Sequence, residues 1–460
     1  MFQCFRDYYV FNVIKFMQKL KFIIIFLAMV CLNLGLALNH AVGAEEYEYI
    51  DISNPFLRKI PTAIPRFKNI SGNMKGRDLS VDLANSVSKT LEFTGYFEML
   101  DRGAFLADPH DPKIVATEIN FRNWTVVGSE LLVTGGVAAK EEYMELELRM
   151  FDTFQGKLII GKRYKGRISN QRQMIHRFCG EVMYHLTGNR GVFNSQIAFI
   201  SVSNGNKEIF ISEFDGYKPH QFTNNNAITL FPAWSSDAQW MAYTSYVNGK
   251  PDLYIRNIKE KSGAVVSKKG IQITPAWVPG KFELAATLSF SGDQEIYLLT
   301  GQGKVIKRLT KSRGIDVEPT WSPDGKKMAF VSKRSGTPQI YIKDVASGRV
   351  RRLTYEGRYN TQPNWSAKGD KIAFSTMQMG RIDIFTIGVD GKDLRRLTED
   401  QGDNEAPCWS PDGSLITFSS SREGISKIYV MTAFGTDQRR LISLPGAQTN
   451  PKWSPNITSK

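Results

Sequence analysis

The chain has 460 residues, 42% hydrophobic and 23% charged, with a formal net charge of +14 and a mean hydropathy of -0.27. Such values describe an ordinary soluble chain, long enough for two domains. The basic excess is spread along the chain rather than gathered into runs, which argues for solvated strand faces and against a nucleic-acid-binding patch.

In the first 44 residues, Lys15, Lys19 and Lys21 precede an apolar run from Phe22 to Leu38, then "AVGA" ending at Ala44 and acidic "EEYEYID". A positive flank, an apolar core and small residues before a cut describe a secretory signal peptide over residues 1–44. The alternative is a membrane anchor, but the run is at the lower limit of a span and contains Asn33. Met17 is a second candidate start, and Cys31 lacks the context of a lipoprotein signal. Cleavage would lower the net charge to +11 and leave two cysteines, Cys179 and Cys408. They fall in different domains and read as isolated buried thiols, with no metal-ligand spacing around them.

Residues 45–190 carry no repeat and read as a small α/β domain. Its first stretch, 45–56, is "EEYEYIDISNPF", an alternating segment freed as a terminus by the cut. It is either a frayed end or a mobile strand that Tyr47, Tyr49, Ile50 and Ile52 offer to the sheet edge of a partner. "KIPTAIPRF" (59–67) reads as a strand whose prolines confine it to an edge or bend. Residues 78–95 read as a helix with an apolar stripe of Leu79, Val81, Leu83, Val87 and Leu91 stopped by Gly95. "YFEML", three strands within 124–163 and a second helix from Asn170 to Leu186 complete the domain, with Ile175, Phe178, Val182 and Leu186 on one face and Gly188 closing it.

From residue 191 the chain repeats. Six tryptophans, Trp234, Trp277, Trp321, Trp365, Trp409 and Trp453, are spaced 43, 44, 44, 44 and 44 apart, each with a proline two positions earlier. "EPTWSPDGKKMAF" at 318–330 is the fullest copy, and "QIYIKDVASGRVRRLT" at 339–354 is the second element of the same unit. Four short strands joined by Asp-Gly and Ser-Gly turns, repeated at this interval, are the signature of a β-propeller blade. The Trp453 copy lacks a body, whereas "IAFIS" at 197–201 is a second strand without a first. Joined, they make a sixth blade, so residues 191–460 read as an all-β six-bladed propeller closed by strands from both of its ends. Trp-Ser-Pro-Asp-Gly is read as structural, Trp packing between sheets and Asp-Gly making the turn. A calcium loop needs more oxygen ligands than these turns supply.

Catalytic signatures are absent. There is no Gly-x-Ser-x-Gly elbow, no phosphate loop and no His-Glu-x-x-His. His176 and His185 read as surface or packing residues of the second helix. An extracytoplasmic propeller enzyme or carbohydrate binder, with two carboxylates at the channel, is the rival class, although no strand end bears a cluster of acids.

An α/β domain followed by six Pro-x-Trp-Ser-Pro-Asp-Gly and Arg-Arg-Leu-Thr units, with "IPTAIPRF" and "LEFTGYFEMLDR" ahead of them, resembles the TolB family of the bacterial Tol-Pal envelope system. The resemblance implies a non-enzymatic periplasmic adaptor without cofactor or metal. It would bind the lipoprotein Pal at the propeller mouth and TolA through the amino-terminal strand, in support of outer-membrane integrity and of invagination during division. Other envelope proteins and bacteriocins are further partners in that family. In a four-stranded blade, the fourth-to-first and second-to-third connections open on one face. Five residues before each Trp stand Thr229, Gln272, Asp316, Asn360, Asn404 and Gln448, expected to ring the channel entrance. Glu318 matches an acidic residue of the family's Pal-contacting loop and is the leading single contact; "GIQITPAW" departs from the family at the second Trp.

Overall fold

The computed structural model describes residues 58–457 apart from 204 and 379. The expected signal segment and the 45–56 strand, with Tyr47, Tyr49, Ile50 and Ile52, lie outside the described residues.

The amino-terminal sheet contains β1 (Ile60–Ala63), β2 (Lys68–Asn69), β3 (Phe97–Met99), β4 (Leu131–Lys140), β5 (Tyr143–Asp152) and β6 (Lys157–Arg167), in the order β3-β1-β4-β5-β6 with β2 beside β4. β1 is therefore an interior strand, correcting the edge placement drawn from its prolines. Pro61 is tolerated because its carbonyl accepts from Glu130 N–H on the β4 side, one residue before β4 begins, so a missing N–H there breaks no ladder bond.

Helix α1 (Met74–Glu92) starts four residues before the expected point, because the Asn73 side chain accepts the Gly76 N–H as an N-cap. Helix α2 (Gln171–Thr187) ends at Gly188 in the left-handed conformation, φ 73°. Leu83, Val87 and Leu91 of α1 and Ile175, Phe178 and Val182 of α2 pack against the β4–β5 face that carries Val133, Leu146 and Leu148. Trp124, Leu132 and Phe151 form a separate small core on the other face.

Six four-stranded antiparallel sheets follow. The Trp321 blade is typical, with strands Asp316–Trp321, Lys327–Ser332, Gln339–Asp344 and Val350–Arg352. The last sheet joins Gln448–Trp453 to Gln196–Ser203, with Trp453 opposite Ile197. The ring thus closes by a sheet built from two distant segments, as the truncated and headless copies imply. The innermost strands touch their neighbours all the way round, Gln448–Trp453 meeting Thr229–Trp234, and so wall a central channel.

Each Trp is buried, and Trp277, Trp321, Trp365 and Trp409 each pack with residues of the preceding blade. At 25 cal/mol per Å², the burial of one such ring stabilises the interface by about 4–6 kcal/mol before entropy. The blades are also tied by polar bonds in two ways. Where the residue before the preceding Trp is Lys452, Ala233 or Ala276, its carbonyl accepts the indole N–H of the next Trp at 3.0–3.1 Å. Where it is Thr320, Asn364 or Cys408, its side chain instead takes the backbone N–H of the next Trp.

The Ser-Pro-Asp-Gly turn is built from its own side chains. Ser322 Oγ donates to Asp324 Oδ1 and accepts from Lys327 N–H, Asp324 accepts from Lys326 N–H, and Gly325 adopts φ 67°. The Ser322 hydroxyl above all holds the Asp324 carboxyl below its ordinary value, so this carboxylate serves the turn rather than a metal.

Candidate functional site

The two faces of the ring differ. The turns between third and fourth strands of two blades meet the amino-terminal domain: Arg172 of α2 pairs with Glu213 at 2.7 Å and Asp215 at 2.9 Å and lies 4.0 Å over the Tyr217 ring. Arg439 donates to the Phe93 carbonyl, Lys59 pairs with Asp437 at 2.7 Å, and Phe214 packs edge-on against Phe93, His176 and Phe193. Burial in that aromatic cluster, with Arg172 nearby, pushes His176 down to about 4, so it is a neutral packing residue. The opposite face, made by second-to-third and fourth-to-first connections, carries none of these contacts. It is the mouth.

Thr229, Gln272, Asp316, Asn360, Asn404 and Gln448 each begin an innermost strand, but all six are 0% exposed. Expected to ring the channel entrance, they start the strands there, with their side chains buried and bonded within the propeller. Asn360 donates to Gln339 Oε1 at 2.9 Å and to the Glu356 carbonyl at 2.8 Å. Gln448 donates to the carbonyls of Leu444, Pro445 and Gly446. Asp316 pairs with Arg334 at 2.8 Å, Asn404 donates to Asp383, Gln272 bonds Lys268 and Thr229 meets the Ser245 hydroxyl. Buried polar groups favour such partners, and the connections and neighbouring strands supply them for most of these atoms, with Asp316 Oδ1, Asn360 Oδ1 and Gln448 Oε1 left unpaired among the described residues.

A second tier supports the same loops and explains the Thr of Arg-Arg-Leu-Thr. The hydroxyls of Thr310, Thr354 and Thr398 accept the N–H of Ile296, Ile340 and Ile384 and donate to Glu295, Gln339 and Asp383 at 2.6–2.8 Å. Glu295 then takes the Ser312 N–H of the connection above. In the Trp409 blade Ile442 replaces the Thr and Lys427 replaces the acid; its ammonium donates to the Leu444 and Gly446 carbonyls instead.

Glu318 lies below the rim, in the channel wall. Its carboxylate accepts the Gln362 N–H of the next blade at 2.6 Å. Burial pushes its carboxyl above the ordinary value, opposed by that bond and by Lys452, whose strand is three blades away across the channel. Glu318 also has φ 55°, as the third residue of its strand, and Phe231, Thr274, Gln362, Ala406 and Asn450 repeat this at φ 50–55°. Each lies inside the bulge that breaks strand register before the Trp, which accounts for the proline that follows: a bulged residue is not in the ladder and needs no N–H.

The signal that polar-ring reasoning missed is apolar. Ile228, Val247, Phe290, Tyr355, Tyr359, Met377 and Ile425 are large hydrophobic residues between 37% and 72% exposed, and all lie in or beside mouth connections. In the sequence, Tyr355 and Tyr359 of "LTYEGRYNTQ" stand where a turn needs neither. Among the described residues no cluster of His, Cys, Asp and Glu suits a metal ion, no helix is long and apolar enough to cross a membrane, and Cys179 and Cys408 are buried free thiols.

Comparison with known proteins gives the same two-part order. Residues 48–159 match the TolB amino-terminal domain and residues 183–457 the TolB beta propeller domain. The Tol-Pal system protein TolB of Desulfosudis oleivorans is 54% identical over 267 residues, 58% of this chain and 61% of that protein. A TolB homolog of Chlorobium chlorochromatii is 44% identical over 60% of this chain and 62% of its own. These alignments thus span about three fifths of the relatives' length. The crystal structure of TolB from Acinetobacter baumannii superposes with a TM-score of 0.76 at 26% identity, covering 87% of this chain and 97% of that one. With a propeller match over more than half its length and the amino-terminal match ahead of it, the chain belongs to the TolB family.

Proposed function

We propose that this protein is a non-enzymatic periplasmic adaptor of a Tol-Pal assembly that receives Pal on the propeller mouth and engages TolA through residues 45–56. The observation that carries the reading is the mouth itself: exposed apolar and aromatic side chains on loops held rigid from below, on the face that the amino-terminal domain leaves open. Aromatic anchors on a preorganised surface are what protein interfaces are made from. The six buried residues act in this reading by fixing loop shape, with Glu318 reached only by a segment that enters the channel.

Calorimetry with purified Pal tests it. Tyr355→Ala should weaken binding by about 1–3 kcal/mol, and Glu318→Lys by about the same if a charged bond forms there. Unchanged affinity in both variants would move the Pal site off the mouth. Deleting residues 45–56 should abolish TolA capture and leave Pal affinity within a few-fold; a deletion variant that still binds TolA makes the segment a frayed end.

A further inference from the structure

The segment between β3 and β4 crosses one face of the amino-terminal sheet without filling it. A cleft of about 600 Å³ remains between this segment and the sheet, within the usual range for small-molecule sites. Half-buried Phe105 and Ile119 give it an apolar wall, backed by the buried Trp124 and Leu132, with Trp124 and Phe105 in edge contact at 5.0 Å. Arg66, Arg102 and Asn123 also line it.

Arg102 is half committed to the fold. Its Nε donates to the Ile64 carbonyl at 2.8 Å and its Nη1 to Asn85 Oδ1 at 2.5 Å, which fixes the guanidinium and leaves Nη2 without a partner among the described residues. Arg66 is exposed and makes no ion pair with any described group, and neither does Arg102. Burial, then Arg66 beside it, holds the Arg102 guanidinium below its ordinary value with no carboxylate offsetting them. The acids on the lining are Asp108, Asp111 and Glu118; Lys113 pairs with Asp111 and feels the other two. Two adjacent guanidiniums, one oriented by the backbone and neither neutralised, beside an aromatic wall, are complementary to an anion carried on an apolar body.

We propose that this cleft binds the carboxylate end of a small amphipathic ligand, the carboxylate on Arg66 and Arg102 and the apolar body against Phe105 and Ile119. A planar carboxylate suits the guanidinium fork, and the cleft holds one short side chain rather than a polymer. The site is separate from the mouth and from the docked face of the propeller, so its failure would leave the adaptor reading untouched.

The test is calorimetric titration of the full chain with two probes, 3-phenylpropanoate and the peptide acetyl-Ala-Ala-Leu, each also as its neutral amide. Saturable binding of the acids, with the amides at least about tenfold weaker, is expected. Tighter binding of the peptide acid assigns the site to a peptide terminus; tighter binding of phenylpropanoate assigns it to a small free acid. Arg66→Met should weaken the acids about tenfold with the melting temperature unchanged, since Arg66 holds nothing in the fold. Arg102→Met should do so as well, but loses the Ile64 and Asn85 bonds, so Arg66→Met decides. Equal affinity for acid and amide, no saturable heat, or an unaffected Arg66→Met variant each overturns the proposal.

Discussion

The two faces of the propeller use the same kinds of side chain to opposite ends. On the docked face, Arg172, Arg439 and Lys59 bridge the ring and the amino-terminal domain, each ending on a carboxylate or carbonyl of the other side. On the mouth face, the residues that begin the innermost strands turn inward to their own blades, and large apolar side chains stand exposed among charged ones such as Lys311, Arg313, Arg358 and Glu399. Where the amino-terminal domain docks, on two blades, polar groups and aromatic rings are therefore already matched. The mouth has a fixed shape and unmatched apolar surface, which is the condition in which a surface gains most from a partner.

Removing the strand that both faces depend on has the largest expected effect. Deleting residues 448–460 takes away the innermost strand of the closing blade and leaves Gln196–Ser203 as an open edge. The loss should exceed the whole ~5–15 kcal/mol stability of a domain, and thermal scans should show no cooperative propeller transition; an unchanged midpoint would refute the closure.

Next is the exchange in the Trp409 blade. Lys427→Glu sets a carboxylate against two carbonyls and should destabilise by about 2–4 kcal/mol. Adding Ile442→Thr supplies the hydroxyl that Thr310, Thr354 and Thr398 provide in their blades, so the double variant should recover at least about 1 kcal/mol. Strict additivity in denaturant titrations would show that the two positions are not coupled.

On the docked face, Arg172→Ala leaves Glu213 and Asp215 facing each other without a cation. A cost of about 1–3 kcal/mol is expected, with Pal affinity unchanged because the mouth lies on the other side; a loss of Pal binding would show that the two faces are coupled.

The smallest effect is in the channel. A carboxyl raised by burial holds its proton more tightly folded than unfolded, so it lowers stability as pH rises through the carboxylate range, and the full loss is present above its folded value. Glu318→Gln keeps an acceptor for the Gln362 N–H and removes that penalty. It should melt slightly higher than the parent at pH 7, the gap closing below about pH 4; a gap that persists at acid pH would locate the effect elsewhere than in ionisation.

Repetition makes the propeller legible. Six spaced tryptophans mark the blades, and the mismatched ends at Ile197 and Trp453 mark the closure, since each repeat imposes the same packing. The amino-terminal domain has no such redundancy. Its first helix begins ahead of its apolar stripe, at an Asn73 cap that periodicity does not reveal, and the interior place of β1 depends on which side Pro61 turns to its neighbour, a matter of tertiary register. The mouth is half legible: polarity at Thr229 through Gln448 is visible, but burial is not, because hydrophilic residues under a loop and on a loop look alike in sequence. Arg66 and Arg102 carry no sequence signal, lying 36 positions apart with no motif between them.

The pairing of Trp453 with Ile197 also orders events in time. A polypeptide delivered amino end first presents Gln196–Ser203 and Asn206–Glu213 long before Gln448–Trp453 exists. At about 5–20 residues per second, the wait is roughly ten to fifty seconds. Through that interval an apolar hairpin has a bare hydrogen-bonding edge, the kind that recruits foreign strands. The late strand acts as a clasp, and a nascent chain must be kept from folding, or shielded by a helper, until the clasp arrives.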